Sequence, residues 1–344
     1  MKAVVIHPPH ELRVEEQEAA AIGPGQVAVR IRAGGICGSD LHYYRHGGFG
    51  AVRVKEPMVL GHEVAGEVTA IAPDVSRVKV GDRVAVNPSR PCGHCRYCAE
   101  RLFNHCENMR FYGSAMPFPH IQGAFRETLV CDETQCEVGP AGISFELLAL
   151  CEPLSVVLHG IGRAAPLAGK RVLVTGCGPI GGLAVAALRQ AGAAEIVATD
   201  VAAEPLAVAT RLGATTTIDV AREPETLAAY AAGKGTFDIL VECSGNGDAI
   251  RGAIPTLRPR ASLVQLGIAG GDVPLPLNLI VAKELAVLGS FRFHEEFATA
   301  AKLIGSGEID LAPLLTGTYP VDEAVAAFEL AGDRTRAMKV HLAF

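Results

Sequence analysis

The chain has 344 residues, 49% hydrophobic and 20% charged, which is the balance of a globular protein long enough for two domains. Its net charge of −6 argues against a nucleic-acid partner, and its apolar runs are too short to suggest a membrane span. The first residues reach Pro8 too soon for a secretory leader, so we expect a cytoplasmic protein whose ten cysteines are reduced thiols or metal ligands.

The first part of the chain has the residue alternation that is typical of β-strands. From Val27 to Ile31, apolar side chains alternate with small or charged ones, which is the period of a half-buried strand. Further short strands are predicted at 64–71 and 83–86, each bounded by turn residues. We therefore predict a β-rich domain over residues 1–153.

Two short runs in this domain carry side chains that a metal ion uses. Cys37 lies in Gly-Ile-Cys-Gly-Ser-Asp-Leu-His, and His62 and Glu63 lie in Gly-His-Glu. Glu152, in Cys-Glu-Pro, adds a carboxylate at the end of the domain. Three protein ligands beside an open position make a catalytic zinc site, in which the metal eases removal of a proton from a hydroxyl. Each residue alone is unremarkable, so this hypothesis depends on their combined pattern.

Four cysteines between residues 92 and 106 form the most regular motif of the chain. Cys92, Cys95 and Cys98 are each separated by two residues, and Cys106 closes the run. Four thiolates satisfy a tetrahedral zinc ion and leave no position for a substrate. The intervening Pro, Gly, His and Arg residues argue against cysteines that are merely buried in a core. The run therefore predicts a structural zinc site.

After residue 153 the pattern changes to apolar strands that alternate with Ala-rich helical segments. The predicted strands are 172–175, 196–199, 216–218, 237–241, 263–266 and 285–288. Such near-continuous apolar strands are typical of a parallel sheet covered by helices on both faces, which we predict over residues 154–290. The remaining segment, 291–344, is mixed, with a helix near 322–330 and a strand at 339–342.

A glycine-rich turn joins the first of these strands to a helix, in the run Gly176-Cys-Gly178-Pro179-Ile180-Gly181. The first glycine permits a tight turn, the second lets a pyrophosphate approach the backbone, and the third lets the helix pack on the strand. Asp200 ends the next strand, at the distance expected of an acid that binds the adenine ribose. No cation closely follows Asp200, and Glu204 adds a negative charge, so NAD is favoured over NADP.

In combination these motifs resemble one family, the zinc-containing medium-chain alcohol and polyol dehydrogenases. The resemblance covers nearly the whole chain, from the loops of Cys37 and His62 to the glycine turn and Asp200. It implies an α/β protein with a GroES-like β-rich catalytic domain and an inserted Rossmann domain with a doubly wound parallel sheet. Residues 291–344 are then expected to complete the catalytic domain, with the active site in the cleft between the two domains.

The same resemblance implies two zinc ions for each chain, a catalytic and a structural one. Cys37 and His62 become ligands of the catalytic zinc, and the four-cysteine run holds the other. The third catalytic ligand in this branch is a glutamate, for which Glu63 and Glu152 both qualify, while Cys151 is a rival thiolate. Glu152 is favoured, directly or through water, with Glu63 close enough to exchange. Because neighbouring side chains in extended backbone point apart, Cys151 and Glu152 should not both bind the metal.

The resemblance also implies a route for the proton and a set of contacts in the cleft. Ser39 is expected to take the hydroxyl proton and His42 to pass it toward solvent, although helix capping and a surface position are their ordinary alternatives. Further contacts are expected with the substrate from Tyr43, Arg110, Arg292 and Phe293, and with the cofactor from Gly267, Phe291 and Arg292.

A sugar acid is the substrate class that the resemblance favours. Runs such as Pro-Met-Val-Leu-Gly-His-Glu are similar to the branch that acts on sugar acids, so the expected reaction is reversible oxidation of L-idonate to 5-keto-D-gluconate. Arg292, or else Arg110, would pair with the carboxylate, because a guanidinium matches its planar shape. For Arg110 an ordinary surface ion pair is equally open. In sorbitol dehydrogenases a tyrosine follows the arginine, whereas this chain has Phe293. The missing hydroxyl makes sorbitol a less favoured substrate.

Three alternatives remain at this level. One is a polyol dehydrogenase for sorbitol or xylitol, another is a zinc-free reductase of quinones or enones, and the third is a non-catalytic relative. The set Cys37, His62 and Glu152 argues against the second, and the glycine turn together with an open metal site argues against the third. The family also implies a homodimer or homotetramer with a small-molecule substrate and no nucleic-acid or membrane partner.

Overall fold

The computed structural model describes all 344 residues and contains a six-stranded parallel sheet in its second half. In spatial order its strands are Thr216–Asp219, Glu195–Asp200, Arg171–Thr175, Phe237–Glu242, Leu257–Gln265 and Ala286–Gly289. This order reverses direction beside the first strand, which is the topology of a doubly wound dinucleotide-binding fold. The carboxyl ends of Arg171–Thr175 and its neighbours therefore open on one crevice.

The apolar strands of this sheet are buried because helices cover both faces. Val172, Leu173 and Val174 are fully buried, as their unbroken apolar run predicts. The helices of the whole chain are Gly38–His46, Arg96–Ala99, Phe145–Ala149, Cys151–Gly162, Pro179–Gln190, Ala203–Arg211, Pro224–Ala228, Gly247–Ala253, Leu277–Ala282, Glu296–Ser306 and Ala324–Ala331. None of them combines the length and the apolar character that crossing a bilayer requires.

The other domain is built on a seven-stranded, mostly antiparallel sheet. Six of its strands follow one another as Cys136–Val138, Arg83–Val86, Glu63–Ile71, Gln26–Gly35, Lys339–Ala343 and Leu315–Pro320, and Thr128–Asp132 also pairs with Gln26–Gly35. Shorter strands are Lys2–Ile6, Leu12–Glu16, Gly48–Phe49, Val52–Arg53, Met58–Val59, Ser89–Arg90 and Arg110–Phe111. This is the β-rich domain that the alternating sequence predicts.

The last strand of the chain lies inside this first sheet, between Gln26–Gly35 and Leu315–Pro320. His341 in Lys339–Ala343 pairs with Gly35 in Gln26–Gly35, so the C-terminal segment completes the first domain. On the other side of the insertion, helix Cys151–Gly162 crosses the boundary predicted at residue 153. The two domains are thus joined by a continuous helix, whose first turn carries Glu152.

Candidate functional site

Cys37, His62 and Glu63 come together in the first domain. Their ligand atoms lie within 4.8 Å of one another, and the site is shielded, with His62 and Glu63 buried. Cys37 lies two residues after strand Gln26–Gly35, and Glu63 begins strand Glu63–Ile71, which pairs with that strand. The pairing of these two strands therefore brings the segment of Cys37 next to that of His62 and Glu63.

Asp40 connects the loops of Cys37 and His62 by hydrogen bonds, a role that was not predicted from the sequence. Its carboxylate accepts a hydrogen bond from the backbone N–H of Cys37 at 3.0 Å and another from that of Gly61 at 3.2 Å. Asp40 is fully buried, and burial raises its pKa, which the nearby His62 opposes. The sequence does indicate a capping role for Asp40, because an acid three residues after Cys37 is typical of a helix start. The hydrogen bond from Gly61 could not be predicted, because one sequence does not indicate which loops lie together.

The donor chemistry of this group fits a divalent metal ion. Nδ1 of His62 is buried without a hydrogen-bond partner, and the Asp40 carboxylate is 3.9 Å away. Burial, reinforced by Glu63, raises the pKa of the Cys37 thiol to about 12. A soft thiolate, an imidazole and a carboxylate are the ligands that zinc prefers, and binding it would favour the thiolate form of Cys37.

Lys339 is the second residue that the sequence reading missed. Its ammonium group donates to Glu63 at 2.6 and 2.9 Å and to the backbone oxygen of Ile36 at 3.2 Å, and both charged side chains are buried. Lys339 begins the last strand of the chain, which lies beside Gln26–Gly35. The ion pair holds the Glu63 carboxylate in one orientation beside Cys37 and His62. We call Cys37, His62 and Glu63 the metal group.

The compact group contains Glu63, and the preference for Glu152 as the third ligand stays a prediction. Glu152 is buried nearby in the first turn of helix Cys151–Gly162, and burial raises its pKa to about 8, a shift that His62 opposes. The expectation of extended backbone at Cys151 is wrong, since Cys151 begins that helix. Its thiol is fully buried in the hydrophobic core, and burial, with Glu137, raises its pKa.

Arg292 enters the same cleft from the second domain. Its guanidinium carbon lies 4.2 Å from the ring centre of Phe111, whose ring centre is 5.5 Å from that of His62. One guanidinium nitrogen approaches the sulfur of Met116 at 3.3 Å. Burial lowers the pKa of Arg292, and Glu152 is close enough to oppose that shift. A thioether is a weak acceptor, so the positive charge remains available to an anion.

The other expected substrate residues are placed differently. Tyr43 is buried, and its hydroxyl accepts a hydrogen bond from the backbone N–H of Ala115 at 3.2 Å. Phe293 is 1% exposed and packs on Phe297, so its ring is part of the core and does not line the cleft with Arg292. Arg110 is exposed next to Phe111, and because successive strand residues point to opposite faces, it points away from the cleft.

Ser39 and His42 lie on the first turns of helix Gly38–His46. They are three residues apart, so they share one helix face. Ser39 is half-buried next to Cys37, and His42 is exposed, with its ring centre 5.9 Å from that of Phe49. Together the two side chains extend from the metal group to the protein surface.

The four cysteines of the second metal group also lie within 4.8 Å of one another. Sγ of Cys95 is 3.5 Å from that of Cys98 and 4.0 Å from that of Cys106. Four sulfurs around a tetrahedral zinc ion are separated by roughly 3.8 Å, given Zn–S bonds of about 2.3 Å. The geometry thus fits the closed site that the spacing predicts. We call residues 92–106 the cysteine lobe.

The glycine turn has the strand–turn–helix context that the motif requires. Gly176 has a φ of +80°, Pro179 begins helix Pro179–Gln190, and a Cβ at Gly181 would meet the carbonyl oxygen of Gly176. Around Gly178 the space is open, as an approaching pyrophosphate needs. Ile180 follows in the first turn of the same helix.

Asp200 lies at the carboxyl end of its strand, beside this turn. One carboxylate oxygen accepts from the N–H of Cys177 at 2.7 Å, and the other accepts from those of Val201 at 2.7 Å and Ala202 at 3.0 Å. Asp219 ends the neighbouring strand directly opposite Asp200. The backbone bonds fix the carboxylate in the crevice, where a second acid adds to the negative potential.

The far wall of the crevice holds the remaining expected cofactor residues. A Cβ at Gly267 would meet the carboxylate of Glu242 at 2.6 Å, and Phe291 is exposed at 42%. Glu242, which the sequence reading missed, is fully buried and accepts from the N–H groups of Ser244 at 2.9 Å and Gly245 at 3.0 Å. It anchors the loop that packs against Gly176.

Two family models match this chain. Residues 23–141 match the alcohol dehydrogenase GroES-like domain, and residues 179–306 match the zinc-binding dehydrogenase domain. These are the two domains that the resemblance implied, and the ranges fall on either side of helix Cys151–Gly162.

Individual relatives agree with the family models. L-Idonate 5-dehydrogenase (NAD(P)(+)) of Escherichia coli is 43% identical over 92% of this chain and 91% of its own. Sorbitol dehydrogenase of Bacillus subtilis is 34% identical over 96% and 93%, respectively. The crystal structure of the Escherichia coli L-idonate 5-dehydrogenase superimposes with a TM-score of 0.95 at 40% identity, covering all of this chain and 98% of that one.

Proposed function

The chain belongs to the zinc-containing medium-chain alcohol and polyol dehydrogenases, and we propose that it oxidises L-idonate to 5-keto-D-gluconate reversibly, with NAD as acceptor. The observation that carries the choice of a sugar acid is Arg292. Its guanidinium lies over Phe111, a neighbour of His62, and its one hydrogen bond is to the weak sulfur acceptor of Met116. A substrate carboxylate would supply the missing partner.

Cys37, His62 and one glutamate would hold the catalytic zinc. Glu63 lies in the compact group, while Glu152 is the nearby carboxylate that exchanges with it or acts through water. When bound, the metal supplies a Lewis acid that makes a hydroxyl proton easier to remove. Cys92, Cys95, Cys98 and Cys106 would hold the structural zinc.

The residues of the chain itself then move the proton and orient the reactants. Ser39 accepts the proton of the substrate hydroxyl, and His42, one helical turn further on, passes it to solvent. Arg292 would bind the carboxylate, while Tyr43 stays buried, with its hydroxyl accepting from the backbone N–H of Ala115. A bound nicotinamide would supply the acceptor for the carbinol hydride, a chemistry that belongs to the cofactor.

NAD is the acceptor that the crevice favours over NADP. Asp200 can accept hydrogen bonds from the ribose hydroxyls, while Asp219 beside it would repel a 2′-phosphate. The nearby cation Arg222 is paired with Asp219 at 3.3 Å. The name of the Escherichia coli relative includes both cofactors, so the preference is a property that we propose for this chain alone.

We also propose that the protein is a cytoplasmic homo-oligomer. The six-stranded parallel sheet ends on strand Ala286–Gly289, whose outer edge has no neighbour. Val287 on this strand is 45% exposed, and Val281 before it is 76% exposed. An open strand edge flanked by apolar side chains is well suited to a second copy of the chain.

A substrate screen tests the proposed function. NADH formation is followed at 340 nm with L-idonate, other aldonates, sorbitol and xylitol, each with and without a chelator. We expect L-idonate to have the highest kcat/KM and chelation to abolish turnover. Sorbitol or xylitol above all aldonates would establish the polyol alternative, and turnover that survives removal of all zinc would refute the zinc assignment.

A further inference from the structure

The cysteine lobe packs against the segment that carries Arg292. Residues 291–295 connect the last parallel strand to helix Glu296–Ser306. Arg101 pairs with Glu295 at 2.5 Å, and the ring centre of Phe103 is 4.9 Å from that of His294. Both lobe residues lie between Cys98 and Cys106, so the loop that the cysteines close is the loop that touches this segment.

Asn104 makes the contact nearest to Arg292. Its side chain is in a residue only 5% exposed, and Nδ2 donates to the backbone oxygen of Phe291 at 3.0 Å. That oxygen belongs to the peptide immediately before Arg292. The hydrogen bond therefore restrains the orientation of the peptide group between Phe291 and Arg292.

The backbone of Arg292 needs such support. Its φ is +54°, in the left-handed region that costs a non-glycine residue free energy unless the surroundings hold it. This conformation sends the guanidinium over Phe111 and toward the metal group. A relaxed backbone would redirect the side chain away from the cleft.

We propose that Asn104 is a positioning residue that sets Arg292 for the carboxylate of the substrate, so that the cysteine lobe contributes to substrate selection. The proposal rests on the proposed function, because it requires an anionic substrate. A purely packing role fits Asn104 poorly, since its Oδ1 is buried without a partner at a cavity of about 350 Å³. The bond from Nδ2 is what the residue adds over an apolar side chain.

The test compares substrates with and without a carboxylate. Asn104→Leu removes the donor at similar size, and Asn104→Asp removes it while retaining a polar side chain if the first variant folds poorly. We expect the KM for L-idonate to rise about tenfold, as for loss of one well-oriented charge-assisted contact. In the same variants, the KM values for NAD and for sorbitol should change by less than about twofold.

A control and a double variant separate positioning from general damage. Arg96→Ala is the matched control, since this exposed side chain lies in the lobe, stacks on Tyr97 and pairs with Glu107. In an Arg292→Ala background, Asn104→Leu should have no further effect on the KM for L-idonate, because the two residues act through one contact. Zinc content should stay equal to that of the parent.

Three results would overturn the proposal. They are an unchanged KM for L-idonate, equal increases for L-idonate and sorbitol, and effects of Asn104→Leu and Arg292→Ala that simply add. A parent enzyme that oxidises no aldonate would refute the proposed function and this inference together. An aldonate oxidation that depends on Arg292 but not on Asn104 would refute the inference alone.

Discussion

At the scale of single residues, the metal group depends on side chains that the sequence motifs do not include. Asp40 joins the loops of Cys37 and His62, and Lys339 neutralises Glu63. Cys37, His62 and Glu63 could be proposed from sequence because their residue types are unusual in loops. Lys339 could not, because it is 276 residues from its partner and nothing in a terminal strand indicates which carboxylate it meets.

Removing Lys339 tests whether Glu63 depends on it. Lys339→Met leaves a buried carboxylate without its partner, which should lower the free energy of unfolding by about 3–5 kcal/mol. Thermal and denaturant unfolding measure this effect. Lys2→Met, which breaks the exposed pair with Asp322, is the matched control and should have little effect. Equal stability of Lys339→Met and the parent would contradict a structural role for this pair.

We expect the choice of cofactor to depend on Asp200. Asp200→Ala removes an acceptor for the ribose hydroxyls and a negative charge, so the KM for NAD should rise about tenfold while NADP becomes a better substrate. Steady-state kinetics with both cofactors measure the ratio. Asp238→Asn, near the amino end of the same sheet, should leave that ratio unchanged. Unaltered NAD kinetics in Asp200→Ala would remove the ribose role.

At the scale of secondary structure, the parallel strands were the most predictable part of the fold. Their apolar runs stand out because both faces are buried. Leu257–Gln265 was predicted to start only at residue 263, because its first residues, Leu-Arg-Pro-Arg, have no apolar pattern. Helix Gly38–His46 was not predicted as an element either, since only three of its nine residues are buried and it has no clear apolar stripe.

The glycine turn allows two glycines to be distinguished by experiment. Gly181→Ala places a Cβ against the carbonyl oxygen of Gly176 and should destabilise the apo-protein by about 1–3 kcal/mol. Gly178→Ala meets no atom within 4 Å, so it should fold normally and weaken only NAD binding. Thermal unfolding without cofactor and titration with NADH separate the two effects. The reverse result would refute the roles assigned to them.

At the scale of the whole molecule, the cleft unites two domains whose elements are far apart in sequence. Arg292 enters it from the end of the parallel sheet, while Cys37 and His62 belong to the first domain. The division into domains could be predicted because the residue pattern changes at residue 153. The position of Phe293 could not be, because neighbouring residues on an irregular connection give no period that would assign one to the core and the other to the cleft.

The open edge of the parallel sheet should control self-association. Val287→Lys places a charge on strand Ala286–Gly289 and should shift the protein toward a monomer of 35.9 kDa. Multi-angle light scattering measures the mass. Val80→Lys, at a site exposed to 57% on the first domain, is the control and should retain the parent mass. A parent that is already monomeric would contradict the proposed oligomer.

The interior position of strand Lys339–Ala343 in the first sheet has a consequence for biosynthesis. This strand is synthesised after residues 171–289, which form a parallel sheet of their own. Domains generally fold as they emerge from the ribosome. On a nascent chain, the carboxylate of Glu63 therefore has no partner until Lys339 has been synthesised, so the group of Cys37, His62 and Glu63 is completed only after the inserted parallel sheet has been made.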